Sequence, residues 1–99
     1  MKRGYIQKTG KGTYTGQGYR TVWMKIENGR LSWSRAPGED EKNGVNLLGY
    51  RLEDTDTEYF SIKHSKKRDI KMRVLKNSKN DDWILEKQDW TFQIMRALV

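Results

Sequence analysis

The last eighteen residues before Val99 constrain the fold more than any other stretch. From Asp81 to Leu98 the large apolar residues recur at helical spacing, and no other long segment does this. Trp83, Trp90, Ile94 and Ala97 are separated by seven, four and three residues, which aligns them on one helical face. Ser78, Asn80, Asp81 and Asp82 stand just before it, supplying candidate N-caps and negative charge at the positive end of the helix dipole. Everything before Ser78 reads as strands and turns. A strand-rich chain closed by one amphipathic helix with large aromatics needs a place to seat them, so the helix is expected to plug a β-barrel or sandwich.

The chain has 99 residues, enough for one domain with one modest core, and residues 1–99 are read as a single unit. Only 34% of residues are hydrophobic against 33% charged, so the core must rest on the four Trp, five Tyr and two Phe. No run approaches the roughly 20 apolar residues of a membrane span, and no signal peptide opens the chain. With no cysteine there is no disulfide or thiolate chemistry, which fits a reducing compartment. The expected location is cytoplasmic.

The net charge of +7 is unevenly spread. Residues 1–35 carry eight Lys/Arg and one acid, residues 36–58 two and seven, and residues 59–99 ten and five. Basic surface from the first and last blocks would draw anionic partners: membrane headgroups, nucleic acid or acidic proteins.

Alternation predicts strands at 3–9, 19–26, 31–35, 59–63 and 70–75. In the second, Val22, Met24 and Ile26 share one face and Tyr19, Thr21 and Trp23 the other. Residues 9–18 carry four glycines and form a flexible loop between the first two strands. Asn28-Gly29 is a tight hairpin turn. Val45 to Leu52 reads as one strand bent near Gly49, and Glu53 to Glu58 as an acidic turn. Trp23 and Trp33, on adjacent strands, are expected to pair across their hairpin. His64 to Asp69 reads as a basic loop with His64 solvated. A competing parse makes residues 82–86 a strand and starts the helix near Gln88; the Trp83–Trp90 spacing favours the longer helix.

In order, Gly4-Tyr-Ile-Gln-Lys8, then Tyr19–Ile26 running into Glu27-Asn-Gly-Arg-Leu31, then a terminal helix with Trp90, resemble a pleckstrin homology (PH) domain over nearly the whole chain. The resemblance implies a mainly β fold with one C-terminal helix: a PH-like barrel of two near-orthogonal antiparallel sheets, seven strands, capped by the helix. PTB and EVH1 domains share that architecture, so it leaves function open. PH domains that bind phosphoinositides chelate phosphates with a Lys late in strand one and a Lys/Arg-x-Arg early in strand two. Matching the motif puts Lys8 and Arg20 on the first two positions and Val22 on the third, where no side-chain donor remains. Ser32 stands where strand three often has Tyr, and Asn43, with Lys42 adjacent, where the next loop often has a basic residue. The implied headgroup-binding set is Lys8, Lys11, Arg20, Lys42, Lys66, Lys67 and Arg68, with Tyr14 at the loop tip as a membrane contact.

Other chemistries lack their residues. Gly10-Lys11-Gly12 has neither the Gly-Lys-Ser/Thr ending nor the helix of a phosphate loop. With His64 as the sole histidine there is no metal cluster and no Ser-His-Asp set. The acids at 39–41 and 53–58 lack the spacing of a calcium loop. No enzyme activity and no cofactor are expected. The expected function is a membrane-targeting module for phosphoinositides or other anionic headgroups, of low to moderate affinity and peripheral on the membrane. The alternative is a protein-interaction domain of a signalling or cytoskeletal protein. Nucleic acid is not an expected partner, because a stacking platform would need Trp23 and Trp33 outward beside the basic patch.

Overall fold

The computed structural model describes residues 1–9, 18–39, 43–75 and 82–98. Seven strands precede one helix: β1 Lys2–Thr9, β2 Tyr19–Glu27, β3 Arg30–Ser34, β4 Asn43–Asn46, β5 Arg51–Asp54, β6 Tyr59–Lys63, β7 Ile70–Arg73 and α1 Asp82–Leu98. All ladders are antiparallel, in the order β4-β3-β2-β1-β7-β6-β5. β1 joins the halves unequally. All eight of its residues pair with β2, but only Gln7 and Lys8 pair with β7. Ile6, Met24, Leu31, Phe60, Ile62 and Met72, drawn from both halves, nevertheless fill one core cluster. The sheet therefore bends about the short β1–β7 pairing and closes on itself, which is the two-sheet PH-like barrel.

The strands form where alternation predicts them. Asn28 and Gly29 take φ of 54° and 73°, the paired positive values of a two-residue type I′ turn, whose twist suits a hairpin. The Val45–Leu52 stretch is different. It is not one bent strand, because Val45 pairs with Leu31 on one edge of the sheet while Leu52 pairs with Ile62 on the other. A turn at 47–50 carries the chain between the edges, with Gly49 at φ 90° and the Tyr50 N–H donating to the Leu47 carbonyl. Leu47 and Tyr50 enter the core from this turn, and Leu48 stays exposed.

The helix starts at Asp82 and includes Trp83, so the longer reading holds; the candidate caps Ser78, Asn80 and Asp81 lie outside the described residues. Trp90 and Ile94 are fully buried, with Trp83 and Ala97 packed against the core. Burying a Trp side chain of about 150–250 Å² contributes about 4–6 kcal/mol at 25 cal/mol per Å². The Trp90 indole N–H has no hydrogen-bond partner, which offsets about 1–3 kcal/mol of that. Polar contacts fix the helix on its seat. Lys2 of β1 bridges Glu86 at 3.0 Å and Asp89 at 2.7 Å, and its ammonium lies 5.1 Å from the Trp90 ring centroid. Lys87, buried on the apolar face, reaches Asp54 at 2.7 Å and donates to the Thr55 carbonyl.

Candidate functional site

Strand register gathers the described candidate cations, Lys8, Arg20, Lys66, Lys67 and Arg68, at one end of the barrel. β1 ends at Thr9 where β2 begins at Tyr19, and the β6–β7 loop departs from the same end, since Met72 of β7 pairs with Lys8. The Asn28-Gly29 turn and the Lys2 contacts to the helix lie at the other end. Among the predicted residues, Lys8 and Arg20 are direct cross-strand partners, so both side chains stand on the face that also carries Ile6, Met24 and Ile26. Lys66, Lys67 and Arg68 are exposed in the loop at the same end. Lys11, Tyr14 and Lys42 lie outside the described residues.

Lys8 is not a freely waving surface cation. It is only 8% exposed, its ammonium donates to the Thr9 carbonyl at 2.9 Å, and it sits 4.2 Å from the centroid of Trp33. Burial pulls its pKa below the ordinary lysine value, and the neighbouring positive charge of Arg20 pulls it further. Arg20 is exposed, so solvent and a bound anion can reach its guanidinium. Val22, one step inward, packs partly buried against the core and adds no donor. The geometry is a recessed ammonium beside an exposed guanidinium, suited to a charge-assisted contact with one anionic group.

Trp33 is the residue that sequence reasoning misplaced. Trp23 and Trp33 do not pair, because the β2–β3 register sets Trp23 opposite Ser34 and Trp33 opposite Met24, on opposite faces of the sheet. Trp33 turns inward to Lys8. Trp23 turns outward and packs edge-on against Tyr5, its β1 partner, with centroids 5.0 Å apart. Alternation from Met24 could have separated them, since adjacent odd and even positions on paired strands depend on register, which the turn type fixes. His64 also departs from expectation. It is half-buried, with its ring 5.0 Å from that of Tyr50 and its Nδ1 accepting the Lys66 backbone N–H at 3.0 Å. It braces the β6–β7 loop.

A second cation–aromatic cluster occupies the outer face. Arg73 lies 4.5 Å from the Tyr19 ring and 5.9 Å from Tyr59, and donates to Gln7 and to the Tyr59 hydroxyl. Burial raises the Tyr19 pKa, Tyr59 adds to the rise, and Arg73 opposes it. A shallow cavity of about 280 Å³ opens beside it, lined by Gln7, Glu58, Arg73, Val74 and Leu75. Glu58 places a carboxylate there, and Arg73 is already engaged. On α1, the side opposite Trp90 exposes Ile84, Leu85, Phe92 and Met95.

No family model and no curated protein sequence matches the chain. Solved structures do. The C-terminal PH domain of pleckstrin, in complex with an inositol pentakisphosphate, superposes with a TM-score of 0.71 at 16% identity, covering 100% of this chain and 98% of that one. The PH domain of mouse ethanol decreased 4 protein gives 0.73 at 16% identity, covering 99% and 86%. A structure of SifA and SKIP gives 0.72 at 18% identity, covering 99% and 97%. With seven antiparallel strands, one terminal helix and these superpositions, the chain has the pleckstrin homology fold.

Proposed function

We propose that this domain is a non-catalytic membrane-targeting module that binds phosphoinositides or other anionic headgroups with low to moderate affinity and selectivity. The observation that carries this reading is the Lys8–Arg20 cross-strand pair at the loop end of the barrel. Exposed Lys66, Lys67 and Arg68 at that same end would add diffuse attraction to an anionic surface. Each basic residue near such a surface is worth about 1 kcal/mol. Several acting together give binding that is measurable and salt-sensitive. The loop residues Lys11, Tyr14 and Lys42 belong to the same proposed contact. The pleckstrin domain of the same fold, crystallised with an inositol phosphate, supports the ligand class. Because Val22 contributes no donor, the reading is of weaker and less selective recognition than a full phosphate-chelating motif provides.

Sedimentation with anionic liposomes at low and high salt tests it. Wild type should pellet at low salt and release at high salt, and Lys8→Ala/Arg20→Ala should pellet less. Absence of binding to every anionic liposome would reject the reading.

The second reading, a protein-interaction domain without a lipid role, draws on the exposed apolar side of α1 formed by Ile84, Leu85, Phe92 and Met95. Such a face is a common anchor for protein partners. A stoichiometric partner lost on Phe92→Ser, with liposome binding absent, would favour it.

A further inference from the structure

The recessed ammonium of Lys8 raises the question of how many phosphates it can serve. A lysine ammonium has three donors. One is committed to the Thr9 carbonyl at 2.9 Å. A second direction is taken by the Trp33 ring, whose centroid lies 4.2 Å from Nζ, a distance at which the negative ring face holds a cation. Among the described residues, that leaves Lys8 one uncommitted donor. Its partner Arg20 is exposed and presents a guanidinium fork that matches two oxygens of one phosphate. One step inward, half-buried Val22 offers nothing to a second phosphate.

We propose that Trp33 is the specificity-determining residue of this site, holding Lys8 so that Lys8 and Arg20 together seat a single phosphomonoester. This rests on the headgroup-binding reading above. The charge balance points the same way. Two like charges sit side by side on one face, and their repulsion is one of the causes that pull the Lys8 pKa down. A phosphomonoester carries about −1.5 to −2 charges near neutral pH and cancels both cations. The phosphodiester of an unphosphorylated headgroup carries one charge and leaves the pair half-compensated. A second, vicinal phosphate meets Val22 and the inner wall and gains little from the pair. Trp33 packs partly buried against the core and meets the site through its ring contact with Lys8, so it is a positioning residue.

The test uses the full 99-residue chain. Neutral phosphatidylcholine vesicles carry phosphatidylinositol, a phosphatidylinositol monophosphate or a vicinal bisphosphate, each at equal surface charge. Soluble inositol monophosphate and inorganic phosphate form the lipid-free arms, read by NMR of the Lys8 side chain. In wild type the monophosphate should bind about fivefold tighter than phosphatidylinositol, the effect of one extra ion pair. The bisphosphate should fall within about twofold of the monophosphate, since no further donor meets it. Trp33→Leu should erase the monophosphate preference, and Trp33→Phe should keep most of it. The Lys8 methylene signals, shifted by the indole ring in wild type, should return to ordinary lysine positions in Trp33→Leu.

Lys8 shifts with soluble inositol monophosphate but not inorganic phosphate would assign the ligand to an inositol headgroup. Shifts with both would assign it to the bare phosphomonoester, and either supports the proposal. No Lys8 shift with either, an undiminished preference in Trp33→Leu, or a gain of about tenfold on adding the second phosphate overturns it. The wild-type ratio of monophosphate to bisphosphate binding needs no variant, so the test stands even where Trp33→Leu fails to fold. Loss of binding to every anionic vesicle is a separate outcome, and it overturns the headgroup reading itself.

Discussion

Lys87→Met probes how the helix is fastened to the barrel. Lys87 lies on the buried face of α1, one turn before Trp90 and Thr91, with its side chain 8% exposed. Its ammonium reaches across to the end of β5, pairing with Asp54 at 2.7 Å and donating to the Thr55 carbonyl. Methionine keeps the apolar stem and removes only the charge. The contact to the neutral carbonyl is charge-assisted and part-buried, a kind worth about 1.5–3 kcal/mol. The Asp54 side chain is 51% exposed, so its share is screened and amounts to no more than about 1 kcal/mol. Lys87→Met should therefore destabilise by about 2–3 kcal/mol, lowering Tm by about 10–20 °C in a domain of this size. Asp54→Asn should cost less, about 0.5–1 kcal/mol. Urea unfolding followed by circular dichroism measures both, with an unchanged denaturant slope showing that only stability moved. If Lys87→Met lay within about 0.5 kcal/mol of wild type, or Asp54→Asn cost as much as Lys87→Met, the tether argument would be refuted.

Gly49→Ala should destabilise by about 1–3 kcal/mol, because Gly49 holds φ at 90° and an added Cβ would lie 2.9 Å from His64 Nε2. Chemical denaturation checks the cost, and an unperturbed His64–Tyr50 contact with full stability would contradict it. Lys2 and Lys8 predict opposite pH limbs. For Lys2, burial pulls the pKa down but its hydrogen bonds to the Asp89 and Glu86 carboxylates, with their negative charge, outweigh it, so the folded value is raised above 10.5. Its bridge is fully present below the unfolded pKa and is lost as pH rises through the raised folded value. Lys2→Met should remove that alkaline loss of stability. For Lys8 the folded pKa is lowered, so the unfolded chain binds more protons and this group's contribution rises with pH between its folded value and 10.5. Lys8→Met should then be as stable as wild type or more so near neutral pH, while binding headgroups less well. A marked loss of stability in Lys8→Met would show that the Trp33 contact outweighs the burial of the charge.

The helix, the hairpin turn and most strands were legible because their signals are local. Trp83, Trp90 and Ile94 fall on one face by spacing alone, and Asn28-Gly29 carries the backbone preferences of its turn in its own side chains. What stayed hidden depends on partners far away in the chain. Val45 to Leu52 looks continuous in composition, yet Leu31 and Ile62 claim its two halves for opposite edges of the sheet. Trp33 finds Lys8 rather than Trp23 because register, not proximity on adjacent strands, decides which face a side chain takes. Asp54 and the Thr55 carbonyl, the partners that hold Lys87, lie far back in the chain at the end of β5. At the site, the resemblance to the PH motif marks Lys8 and Arg20, but their cross-strand pairing and the depth of Lys8 emerge only from the structure. That depth comes from Trp33 closing over it, a contact between β1 and β3 across the intervening strand.

The most direct test of the headgroup-binding account is an NMR titration of the domain with a panel of soluble inositol phosphates at low salt. The account predicts saturable shifts centred on Lys8 and Arg20, weakening as salt is raised and lost in Lys8→Ala/Arg20→Ala. Shifts confined to the outer face of α1 around Phe92, or none at the Lys8–Arg20 pair with any inositol phosphate, would contradict it.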